Sequence, residues 1–142
     1  MNKTPRYLAI VLLIITVSVR TVVAAKGPLR FDGLYFCSIP TSNGPATSYL
    51  RFFPDHVVLV SIYTGTPTLE VAHWFDRRKE KNFRYTLDGA AIRFEEKSDS
   101  NVYIYSGVIS GDSIKLRVAG YEGSRSMGYV ERTYKFKSTS LP

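Results

Sequence analysis

The chain has 142 residues, enough for one domain and too few for two of ordinary size. Nineteen Lys and Arg against twelve Asp and Glu give a net charge of +7, and a single cysteine, Cys37, excludes an internal disulfide. The charge is a weak argument for nucleic acid, because part of it belongs to the N-terminal segment and the rest is scattered along the chain.

That segment is the first element. Lys3 and Arg6 form a basic region, an apolar run follows from Tyr7 to Val19, and the stretch closes on Val23-Ala24-Ala25. Small residues at the end of a short apolar run are the pattern of a secretory signal, with cleavage after Ala25. The run is too short for a comfortable membrane span. Arg20 is unusual in such a position, and the competing reading is an uncleaved anchor with Arg20 snorkelling to an interface. Cleavage removes Lys3, Arg6 and Arg20, leaving residues 26–142 as a single domain with sixteen basic and twelve acidic residues, net +4. The expected location is outside the cytoplasm, extracellular or periplasmic.

From Lys26 onward, short β-type runs alternate with turn residues. The first strand is expected at Leu34–Ile39, opened by Asp32-Gly33. Ser48–Phe53 and Val57–Thr64 form a hairpin across Pro54-Asp55-His56, where His56 suits a positive φ better than most residues do. Pro67 with Thr66 as cap begins one short helix reaching Arg78. Strands resume at Phe83–Leu87, Ala91–Glu95, Val102–Ile109 and Ile114–Val118. Tyr121–Gly128 reads as a glycine- and serine-rich loop, and the last strand follows to Lys137. About eight sequential strands with clean alternation predict an all-β, antiparallel up-and-down barrel, whose interior is either filled or holds one small ligand.

The last strand carries the most informative residue. Its alternate positions Val130, Arg132, Tyr134 and Phe136 share one face, and Glu131, Thr133, Lys135 and Lys137 share the wet one. Arg132 is thus a charge on an apolar face, costly to bury without a partner. The first strand opens Phe31-Asp32-Gly33-Leu34-Tyr35, and the last holds Arg132-Thr133-Tyr134. This pair of segments resembles the calycin superfamily, the lipocalins and fatty-acid-binding proteins. In that family the first strand carries Gly-x-Trp, and a basic residue on the last strand packs across the ring. Tyr35 stands at the tryptophan's place and Arg132 at the basic residue's. The resemblance implies a lipocalin-like barrel. It also implies two roles for Arg132: stacking on Tyr35 to close the barrel, or gripping a ligand carboxylate together with Tyr134.

Catalysis finds little support. The sequence has two histidines, His56 in a turn and His73 beside Trp74, and no HExxH, GxSxG, CxxC or glycine-rich phosphate loop. Asp55 with His56 falls short of a metal site's ligand count. Glu95 and Glu96 are strand neighbours pointing to opposite faces, so they do not form an acid–base pair, and Glu96 reads as the strand's end. Cys37 reads as a small buried hydrophobe. Trp74 and the Tyr103/Tyr105 pair offer stacking surfaces, with core packing the simpler role. Neither cofactor nor metal nor nucleic-acid partner is expected. The leading expectation is a non-enzymatic carrier of a small apolar or amphipathic ligand. Arg132, Tyr134 and Tyr35 would be at its head and Val58, Val60, Ile92, Phe94, Ile114 and Leu116 around its tail, in an enclosed cavity of a few hundred Å³. The alternative is a filled barrel that acts through its outer surface as a secreted or envelope-associated interaction module.

Overall fold

The computed structural model describes residues 29–64, 75–78 and 80–139. The leader with Ala25, and the body of the expected helix with His73 and Trp74, lie outside the described residues. The described end of that helix, Phe75–Arg78, is irregular and then a turn.

Eight strands follow one another: β1 (Gly33–Thr41), β2 (Gly44–Phe53), β3 (Val57–Thr64), β4 (Asn82–Asp88), β5 (Ala91–Lys97), β6 (Asn101–Ser110), β7 (Ser113–Glu122) and β8 (Arg125–Ser138). They close into an antiparallel barrel in chain order, with β1 paired to β8. Period-2 alternation with turn residues at each reversal is what the sequence expectation rested on, and the up-and-down barrel is the result. His56 has φ 64° in the β2–β3 turn, its ring stacked 5.2 Å from that of Tyr85.

Two connections differ from expectation. Strands β1 and β2 run on to a tight turn at Ser42-Asn43. The expected Tyr121–Gly128 loop is a hairpin turning at Gly123-Ser124, with φ +56° at Gly123. Small and polar residues hide the alternation there. Gly120 pairs with Gly128 and Tyr121 with Ser126, so Met127 is an extra residue on β8, a β-bulge with φ 89° at Gly128.

The lower end of the barrel carries the Pro54–His56, Gly89-Ala90 and Gly111-Asp112 turns. Its interior is filled. Tyr35, Leu50, Phe52, Val58, Ile92, Phe94, Ile114, Leu116 and Tyr134 are each at most 2% exposed. Phe52 is the hub, edge-on to Tyr35, Tyr85 and Phe94 at 5.7, 5.2 and 6.1 Å. Each such side chain contributes about 1.5–3 kcal/mol of burial.

A second apolar cluster lies on the outside. Leu34, Tyr49, Val57 and Leu59 point away from the interior and are covered by Phe75 of the β3–β4 connection. Arg51 donates from Nη1 to the Phe75 carbonyl at 3.0 Å, and Arg77 clamps Asp55 with bonds of 2.7 and 3.2 Å. Strand β3 is therefore buried on both faces where it reads Val57-Val58-Leu59.

Two seams are short. β8 meets β1 only through Lys135–Ser138, and β4 meets β3 only through Asn82–Arg84. Among the described residues, the upper half of the barrel is less closed than the lower.

Candidate ligand site at the upper barrel mouth

Depth along the inward face separates the two halves. On β3, Val58 is fully buried, Val60 is half-buried and Ile62 is 54% exposed. On β8, Tyr134 is fully buried, Arg132 is half-buried and Val130 is 50% exposed. These residues share a face, so the change is one of depth. On β3 and β8 the inward face opens above Tyr134, whereas Leu116 and Val118 of β7, opposite Arg132 and Val130, stay buried.

Tyr134 forms the floor. Its Oη shares a 2.9 Å hydrogen bond with Ser48 Oγ, and Ser48 is fully buried. Arg132, two residues higher on the same face, lies close enough for its positive charge to act on the same phenol. Burial pushes the Tyr134 phenol above its ordinary range, against the pull of Ser48 and Arg132. Opposite, Tyr105 stacks on Phe94 at 4.4 Å and donates to Glu96 Oε2 at 2.8 Å. Burial first, and the Glu96 carboxylate second, drive the Tyr105 phenol far up. Cys37 pairs with Ser48 across β1 and β2, and burial raises its thiol against the opposing charge of Arg132. Among the described residues Arg132 has no carboxylate within ion-pair distance.

The rim is apolar. Ile62 and Val130 stand in it, and the Tyr103 ring and Met127 Cε lie over the inward side of Gly120. The arrangement is an open cup with a phenolic floor, one guanidinium and one carboxylate at mid-depth, and hydrophobic walls. Such a surface suits a molecule with an anionic head and a small apolar body.

The structure brings Arg132 and Tyr134 together and leaves Tyr35 elsewhere. Tyr35 pairs with Phe136, four residues below Arg132, or about 13 Å of strand. The expected stacking of Arg132 on Tyr35 is therefore not made. Tyr35 packs edge-on to Phe136 at 5.1 Å and accepts the Arg30 backbone N–H at 3.0 Å. The cation at this closure is Arg30, 4.0 Å above the Phe136 ring.

The expected tail walls are also displaced. Val58, Ile92, Phe94 and Ile114 belong to the filled half, Leu116 is buried directly opposite Arg132, and Val60 is half-buried beside the cup. A cavity of about 530 Å³ does exist, but it opens on the outer side of β4 and β5 and Arg132 is not in its lining. Glu96 went unread as an interior residue, although it continues the inward parity of Ile92 and Phe94. Tyr105 is core, so the Tyr103/Tyr105 pair does not form an exposed stacking surface.

The barrel is compatible with a calycin-like fold. No protein-family model matches the sequence, and comparisons with curated proteins and with solved structures find no match.

Proposed function

We propose that the chain is an exported, lipocalin-like binding protein that takes a small amphipathic anion in the cup above Tyr134. The observation that carries this reading is Arg132. A guanidinium at mid-depth in an apolar cup, without an ion-pair partner among the described residues, is a cost to the fold that a ligand carboxylate offsets. Tyr134, two residues below on the same face, sets a polar floor beneath the guanidinium. The apolar part of the ligand rests on Val60, Ile62, Val130 and Met127.

The test is displacement of an environment-sensitive fluorescent fatty acid. Arg132→Ala is expected to weaken binding about tenfold or more, the size of one charge-assisted hydrogen bond. The corresponding fatty alcohol is expected to bind wild type and variant alike. Equal binding of the acid by both proteins removes Arg132 from the site.

The filled lower half favours a second reading, in which the barrel acts through its outer surface and holds nothing inside. Absence of saturable probe binding to the wild type selects it.

A further inference from the structure

β4 and β5 are paired only where Tyr85–Asp88 meets Ala91–Phe94. Above that level β4 turns aside to pair with β3, through Asn82–Arg84, while β5 stays with β6 as far as Lys97. Paired strands sit about 4.8 Å apart. Here they diverge and leave a groove of about 530 Å³, open to the outside and lined by Arg84, Thr86, Arg93, Glu95, Lys97 and Phe83 among others.

The groove is cationic by construction. Strand alternation puts Arg84 and Thr86 on the outer side of β4, and Arg93, Glu95 and Lys97 on the outer side of β5. Three cations therefore face one carboxylate. Glu95 is shared by Arg93 at 3.6 Å and Lys97 at 3.5 Å, long contacts between exposed groups that leave both cations available. Arg84 makes no ion pair among the described residues, and the nearby Asp55 is already held by the two hydrogen bonds of Arg77.

Position adds to charge. Thr86 is directly opposite Arg93, and Arg84 is two residues along from Thr86 on the same face. Arg84 and Arg93 thus lie on the same outer face at the point where the two strands part. Each of the two guanidinium groups matches an oxyanion with two donors. The half-buried Phe83, turned inward by the same alternation and packed on the interior cluster, gives the groove an apolar floor.

We infer that this groove is a second binding site, for a small molecule bearing a phosphoryl or sulfuryl group. The oxyanion lies between Arg84 and Arg93, Lys97 adds charge from above, and Phe83 takes an attached apolar group. The site is separate from the Arg132 cup and does not depend on it.

The test is a titration of the isotope-labelled protein with inorganic pyrophosphate and with phenyl phosphate at constant ionic strength, followed by amide chemical shifts. Saturable shifts are expected at Arg84, Thr86, Arg93 and Lys97, with Phe83 joining for phenyl phosphate. Arg84→Gln combined with Arg93→Gln is expected to weaken binding at least tenfold with an unchanged thermal midpoint, since both side chains are exposed. Arg132→Ala is expected to leave it unchanged. Shifts that do not saturate, or that centre on Arg132, overturn the proposal. So does binding to phosphatidylglycerol vesicles without saturable pyrophosphate binding, which would assign the charge to a membrane surface.

Discussion

Arg30 holds its guanidinium 4.0 Å above the ring of Phe136 and is bonded at the same time to Asp32 at 2.8 Å and Asp112 at 3.2 Å. One side chain thus ties the segment before β1, the β6–β7 turn and the end of β8 into the lower closure. The interplay of cation, ring and two carboxylates makes this closure pH-dependent.

The hydrogen bond from Arg30 holds the Asp32 carboxyl below its ordinary value of 3.8, against an opposing effect of desolvation. A depressed folded-state value gives stability that is present above the unfolded value and lost as pH falls through the folded one. Arg30→Ala is therefore expected to lower the unfolding midpoint at pH 6 and to lower it less at pH 2. Thermal denaturation of both proteins at the two pH values checks this. An equal effect at both would reduce Arg30 to packing on Phe136.

The floor of the cup responds at the other end of the scale. Tyr134→Phe leaves the Ser48 hydroxyl buried without its 2.9 Å partner, a cost of about 1–2 kcal/mol at pH 7. Burial raises the phenols of Tyr134 and Tyr105 above their ordinary 10.0. A raised folded-state value gives stability that is full below the unfolded value and lost as pH rises toward the folded one. Wild type should therefore lose stability above about pH 10, and Tyr134→Phe should lose less over the same interval. Urea denaturation at pH 7, 9 and 11 measures the difference, and parallel curves would contradict the burial of the phenol.

Two inward-facing glycines should behave differently. A Cβ on Gly107 meets the Lys115 carbonyl oxygen and lies 2.9 Å from Leu116 Cα, so the backbones of β6 and β7 must part. Gly107→Ala is expected to cost about 3 kcal/mol or more, at the upper end of overpacking effects. On Gly120 the Cβ meets Met127 Cε at 3.0 Å and the Tyr103 ring at 3.3 Å, where a flexible thioether end can move. Gly120→Ala should cost about 1 kcal/mol. Chemical denaturation ranks the two, and a Gly107→Ala protein as stable as Gly120→Ala would refute the close β6–β7 approach.

Much of the barrel was legible because a strand's side-chain direction is local. Ile92 and Phe94 inward with Arg93 outward, and Tyr134 inward with Lys135 outward, follow from the pleat alone. The turn at His56 was legible for the same kind of reason, a backbone conformation that few residues accept. The outer cluster was hidden because Leu34 and Leu59 are covered by Phe75, which comes from a connection rather than from a strand. Glu96 was readable by parity, yet only the neighbouring Tyr105 makes an inward carboxylate tolerable. Arg30 lies in a segment without alternation, and its ring partner is more than a hundred residues away.

By itself, the sequence determined the strands, their order and the single guanidinium on the inward face of the last one. Whether that guanidinium sits in a packed core or an open mouth was decided by the tertiary structure. Direction is set by the nearest peptide units, whereas depth is set by how far the seams close. The β1–β8 seam closes only below Tyr134, so Tyr35 and Phe136 are sealed with Arg30 over them, and Arg132 faces the cup.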